Sequence, residues 1–118
     1  MLNLNSIMVG SAQPKVMADF YEKVFEKKPD MTDGDWAGWT VGSTFFGVGA
    51  HSEVKGKSKD PSRMMFNLET KEVKEEFARI KALGATVVKE PYEMGGAWIA
   101  TLEDPDGNYF QLMTPWEQ

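Results

Sequence analysis

Apolar and polar residues alternate along this chain with two different periods, and each switch of period marks an element. Over residues 4–9 the period is two. Leu4, Ser6 and Met8 fall on one side and Asn5, Ile7 and Val9 on the other, which predicts a strand. Behind Ser11-Ala12-Gln13-Pro14 the period becomes helical, as Val16, Met17, Phe20, Tyr21, Val24 and Phe25 recur along one stripe. Ser11 or Gln13 stands near the cap, Pro14 suits the first turn, and Pro29 cannot continue a helix. Asp33-Gly34-Asp35 reads as a turn, and two strands follow at 36–41 and 44–50 around Gly42-Ser43.

The second half repeats this order. Residues 63–69 alternate, with Arg63, Met65 and Asn67 opposite Met64, Phe66 and Leu68. Thr70 is the expected N-cap of a helix through Leu83, with Val73, Phe77 and Ile80 on its apolar side and Gly84 as its stop. A strand at 85–89, a loop at 90–96 and two closing strands at 98–102 and 109–113 complete the chain. Asp104-Pro105-Asp106-Gly107-Asn108 joins the last two. Pro105 presets φ, the aspartates accept nearby N–H groups, and Gly107 takes a positive φ. Strand alternation then places Tyr109, Gln111 and Met113 on one face and Phe110 and Leu112 on the other.

Two stretches break the periodic text. Gly47-Val48-Gly49 leaves one strand face almost bare, which calls for a close approach by a ligand or a neighbouring strand, or for a bulge or bend. Beyond His51-Ser52-Glu53, residues 55–62 are polar and carry Lys55, Lys57 and Lys59. A solvated connector explains them more simply than a phosphate site.

Phe20 and Phe77 are separated by the same number of residues as Ser6 and Arg63, so helix stripe and leading strand repeat in step. The Asp-Pro-Asp-Gly-Asn hairpin resembles the closing hairpin of the vicinal-oxygen-chelate superfamily, which includes glyoxalase I, bleomycin-resistance proteins and extradiol dioxygenases. Phe20-Tyr21-Glu22-Lys23-Val24-Phe25 resembles that fold's first helix, and Leu83-Gly84-Ala85 the exit of its second. The resemblance implies an α+β fold of paired βαβββ modules curling into a half-open barrel. The chain is then one domain, 1–118, with a first module of about 1–53, a linker at 54–62 and a second module of about 63–118.

The resemblance also implies a site. Metal-dependent members place their ligands on the first and last strands of each module. The matching positions here are Ser6, the Gly47–Gly49 region, Arg63 and Gln111, where histidines and a glutamate are the usual ligands. Serine and glutamine are weak ligands and a guanidinium repels a cation, so the expectation is no metal cofactor and a degenerate site. His51, the lone histidine, with Glu53 offers the remaining option, a displaced divalent site. The ligand-binding residues expected on the concave face are Ser6, Met8, Arg63, Met65, Asn67, Tyr109, Gln111 and Met113. Leu4 joins them, with Trp36 or Trp39 and Trp98 or Ile99 according to parity. Facing the cup, Arg63 would hold a carboxylate or other oxygen-rich group; otherwise it turns to solvent or pairs with an acid.

Composition narrows the field further. With no cysteine, disulfides, thiolate metal sites and cysteine nucleophiles are excluded. A formal charge of −5 argues against nucleic acid and anionic membranes as partners. The start of the chain has neither a basic region nor a long apolar run, and the expected location is the cytoplasm. Gly-x-Ser-x-Gly and phosphate-loop patterns are absent, and no catalytic residue can be named. The leading expectation is a protein that binds a small aromatic or amphipathic molecule. The alternatives are a lyase or dioxygenase of the same superfamily with a displaced metal, and a ligand-free structural dimer.

Exposed strand edges and apolar surface in a half-open barrel favour a homodimer. Sedimentation at micromolar concentration should therefore give twice the 13.2 kDa chain mass. A single species at the chain mass would contradict it.

Overall fold

The computed structural model describes residues 1–115. Its contacts divide the chain at Gly56/Lys57, inside the expected linker, into two units. The first holds β1 (Ser6–Ser11), α1 (Pro14–Phe25), β2 (Met31–Asp33), β3 (Trp36–Val41) and β4 (Thr44–Ala50). The second holds β5 (Phe66–Glu69), α2 (Val73–Ala82), β6 (Thr86–Met94), β7 (Ala97–Glu103) and β8 (Tyr109–Met113). Each unit is a four-stranded mixed sheet with one helix, ordered β1-β4-β3-β2 in the first and β5-β8-β7-β6 in the second. Both sheets are open rather than closed barrels, and the class is α+β.

In the first unit β1 runs parallel to β4, because the helix between them carries the chain back across the sheet. α1 lies across β1, β3 and β4. Its buried residues are Met17, Tyr21 and Val24; Phe20 and Phe25 are half-buried and Val16 is exposed, so the contact stripe is narrower than the sequence suggests. The Tyr21 ring stands 4.8 Å from that of Phe46, and Phe25 stands 5.6 Å from Trp39. Trp39 is fully buried, and its indole N–H donates to the Lys27 carbonyl at 3.0 Å, which satisfies the one polar atom of a core side chain.

Ser11 Oγ accepts the Gln13 N–H at 2.9 Å and turns the chain into α1, with Pro14 at its start. The helix closes on Glu26 in the left-handed region (φ 59°). Asp30 then ties this exit to β3. Its Oδ2 accepts from Lys27 Nζ at 2.8 Å and from the Thr40 N–H at 2.7 Å, and the two bonds hold its carboxyl below the ordinary aspartate range.

In the second unit β5 and β8 are parallel and α2 lies across β6, β7 and β8. Val73, Phe77 and Ile80 of α2 are buried, as are Ala100, Leu102, Phe110 and Leu112 of the sheet. Ala100 pairs with Leu112 and Leu102 with Phe110, so these four share the helix-covered face. The parity read from the hairpin holds.

Several elements differ from expectation. β1 starts at Ser6 rather than residue 4, and Leu4 is exposed ahead of it. β2 is an additional short strand, paired with β3 through the Gly34-Asp35 turn; three exposed residues give too little periodicity to read. β5 starts at Phe66, because Asp60 to Arg63 closes a turn around Pro61 through Arg63 N–H to Asp60 O at 3.1 Å. Phe66 itself is half-buried rather than buried. β6 runs through Pro91 to Met94, with register shifts at Val87/Lys89 and Lys89/Tyr92. Proline is tolerated there because β6 is an edge strand with bulges. Thr70 Oγ1 accepts the Glu72 N–H at 3.1 Å, two residues ahead of α2, whose N-cap Glu72 makes no side-chain cap.

The β7–β8 turn is organised by one carboxylate. Asp104 Oδ1 accepts the N–H groups of Asp106 at 2.9 Å and Asn108 at 3.0 Å, and the Asn108 amide reaches Oδ2 at 3.0 Å. Asp104 N–H and C=O bond to Asn108 O and Gly107 N, both at 2.9 Å, and Gly107 takes φ 79°. The acid is buried. Asp104→Ala should therefore lower stability in urea denaturation by about 2–4 kcal/mol, the scale for removing several bonds to a buried charge. A loss under about 0.5 kcal/mol would mean that the turn is held by Gly107 and Pro105 alone.

Candidate functional site

Because α1 covers one face of the first sheet, the face that α1 leaves bare collects the other parity: Ser6, Met8 and Gly10 on β1, Phe45, Gly47 and Gly49 on β4, Trp36, Gly38 and Thr40 on β3, and Met31 and Asp33 on β2. The register sets Met8, Gly47, Gly38 and Met31 in one row across all four strands. The row has two glycines in the middle and an exposed methionine at each end, Met8 at 67% and Met31 at 57%.

The bare glycines are filled by neighbouring rings. A Cβ on Gly49 would fall inside the Trp36 indole, meeting Cδ2, Cε2 and Cγ together, so the ring lies face-on over the glycine. A Cβ on Gly38 would clash with the tip of the Phe45 ring, meeting Cζ and Cε2. Gly47 stands between the two rings, with Phe45 Cε2 3.7 Å and Trp36 Cε3 3.9 Å from an added Cβ. Gly10 is covered by His51 and Val54, whose side chains an added Cβ would meet at 2.9 and 3.1 Å. The close approach expected of the Gly47–Gly49 run is thus made by an aromatic side chain of the adjacent strand. Parity also decides between the tryptophans, with Trp36 on this face and Trp39 in the core.

The corresponding face of the second sheet is more polar. Asn67, Gln111, Thr101 and Lys89 form one row across β5, β8, β7 and β6, beside the row Glu69, Met113, Ile99 and Tyr92. Gln111 Nε2 donates to Thr101 Oγ1 at 3.0 Å. Tyr109 and Met113 are half-buried on this face and Asn67 is exposed. Ile99 joins it, whereas Trp98 belongs to the helix side, where Lys74 Nζ lies 3.9 Å from its ring centre.

Of the expected ligand-binding residues, Ser6 and Met8 share the first face, and Asn67, Tyr109, Gln111 and Met113 share the second. Arg63 and Met65 do not lie on a strand. Arg63 sits in the turn before β5, its side chain 76% exposed and bonded to Asp60 Oδ2 at 3.0 Å. Sequence reading missed Phe45 and Gly38, whose signal was only the parity of β4 and β3, and Met31, which lies on the unread strand β2. A hollow of about 160 Å³ lies elsewhere, between Lys71, Val73, Lys74, Glu75, Trp98 and Thr114 at the start of α2. It is smaller than the roughly 300–1,000 Å³ of ordinary ligand pockets.

His51 Nδ1 accepts the Glu53 N–H at 3.2 Å, so one ring nitrogen is already engaged. Among the described residues no three His, Asp or Glu side chains come together as a metal-binding group. Nor is any helix among them long and apolar enough to cross a membrane.

Gly49→Ala should force the Trp36 indole off the sheet and cost about 1–3 kcal/mol in chemical denaturation. Gly47→Ala, with only ordinary contacts around its new methyl, should cost about 1 kcal/mol or less. Equal costs would contradict the placement of the ring.

Several solved structures share this fold. A glyoxalase-related enzyme from Fulvimarina pelagi is 15% identical over 98% of this chain and 89% of its own, with TM-score 0.79. A glyoxalase/bleomycin resistance protein/dioxygenase family enzyme from Burkholderia phytofirmans PsJN is 23% identical over 96% and 98%, with TM-score 0.78. TioX from Micromonospora sp. ML1 is 17% identical over 96% and 98%, with TM-score 0.73. No curated protein matches the chain significantly. The glyoxalase-like domain profile matches residues 6–113, nearly the whole chain and both sheets, so the protein belongs to the glyoxalase-like domain family within the vicinal-oxygen-chelate superfamily.

Proposed function

We propose that this chain binds a small aromatic or amphipathic molecule on the sheet faces its helices leave bare, and that it does so without a resident metal. The observation that carries the reading is the Gln111–Thr101 hydrogen bond. Metal-dependent members of the superfamily place a carboxylate where Gln111 stands. Here the side chain is a neutral amide whose N–H is engaged with its cross-strand neighbour.

The other metal positions fit a cation no better. Ser6 offers a neutral hydroxyl, Gly49 lies under an indole, and Arg63, which carries a permanent positive charge, lies off the sheet in the turn before β5. This donor set lacks the imidazoles and carboxylates a divalent ion requires. It suits a ligand recognised by apolar contact and a few oriented polar groups, the usual make-up of a small-molecule site. Met8 supplies adaptable apolar contact in the first unit; Tyr109, Met113, Asn67 and Gln111 supply contact and hydrogen bonds in the second. A role for Arg63 requires it to leave Asp60, an exposed pair of about 1 kcal/mol or less that a charged ligand group could displace.

Native mass spectrometry of the purified chain should release a small organic molecule on denaturation. Added Zn²⁺ should be retained no better by the wild type than by His51→Ala. Stoichiometric metal that is lost in Gln111→Ala would overturn the reading.

A further inference from the structure

We infer that the bare face of the first sheet is a stacking site for a planar aromatic cation, with the Trp36 indole as its floor. The inference rests on the proposed small-molecule binding and names the ligand class for one face of it. Three observations converge.

The first is flatness. Trp36 lies face-on over Gly49 and Phe45 covers Gly38, so both rings rest against backbone where any other residue would prop them up. Both residues are half-buried, so part of each stays open to solvent. The second is shape. Met8 and Met31 stand at the two ends of the row that crosses Gly47 and Gly38. Both are strongly exposed and flank the rings as low walls of polarisable sulfur and methyl.

The third is charge. The four strands of this sheet contain no lysine or arginine, and Asp33 is their single charged residue. Asp33 is the register partner of Trp36 and shares its face. An electron-rich indole beside one carboxylate, in a chain of net charge −5, favours a ligand that is both flat and positive. An aliphatic cation would forfeit the stacking area, and a flat anion would meet Asp33.

Proflavine, a planar tricyclic cation, is a suitable probe, with 9-anthracenecarboxylate as the planar anion and tetraethylammonium as the non-planar cation. In equilibrium dialysis the wild type should bind proflavine about tenfold tighter than either control. Trp36→Leu should weaken proflavine binding by about tenfold, Trp36→Phe by less, and Asp33→Asn should weaken proflavine while leaving the anion unchanged or improved. Met8→Lys, at an exposed position, keeps the fold and sets a like charge beside the floor; it should weaken proflavine by about fivefold.

The inference is overturned if proflavine fails to bind at millimolar concentration, if the three probes bind alike, or if Met8→Lys and Trp36→Leu leave its affinity unchanged. It is also overturned if a second copy of the chain covers the face, so that dilution to monomer is needed before proflavine binds. A released small molecule of another class, with proflavine excluded, would sink this inference and leave the wider binding reading standing.

Discussion

Each sheet can bury only one of its faces under its single helix, and the rest of the structure follows from which parity lies beneath. In the first unit the covered parity carries Phe46, Val48 and Trp39 against Tyr21, Val24 and Met17. In the second it carries Phe110, Leu112, Ala100 and Leu102 with Phe77 and Ile80 of α2. A slip of one residue in either sheet would turn these side chains to the bare face and drive Gln111 or Gly47 under the helix. Burial of the aromatic and aliphatic set therefore fixes register, and register fixes what is offered to a ligand.

The two bare faces differ in chemistry although they arise from the same module. The first has Gly47 and Gly38 on its two central strands where the second has Gln111 and Thr101, and its aromatic rings lie down on the backbone. The second keeps a polar row whose Gln111–Thr101 bond orients an amide. The same βαβββ order thus presents a flat apolar surface in one unit and a hydrogen-bonding surface in the other. Among the described residues, no three His, Asp or Glu side chains gather on either face.

Much of this was legible in the sequence because it rests on short-range rules. The span of β8 and the parity of Gln111 against Phe110 followed from a turn whose residues have defined roles, and the Asp104 bonds bear that out. Trp36–Val41 and Thr44–Ala50 were bounded by glycine turns and are strands over those spans. What failed depended on longer-range geometry. Arg63 alternates with its neighbours as a strand residue would, yet Pro61 closes a turn that keeps it off the sheet and against Asp60. Pro91 looked like the end of a strand, but an edge position with bulges absorbs it. A close approach to the Gly47–Gly49 run was among the readings open to the sequence, but the side chain that makes it was not. Which side chain lies over a glycine depends on the rotamer of a residue on the next strand.

The central claim is that ligand recognition belongs to the helix-free sheet face and leaves the helix-covered core untouched. Methionine reports on both, since Met8 and Met31 stand on that face and Met17 lies in the core. Methyl-resolved NMR of ¹³C-methionine protein, titrated with proflavine, tests it most directly. The account predicts saturable shifts at Met8 and Met31 with Met17 unmoved. Shifts at Met17 with Met8 and Met31 unchanged would contradict it.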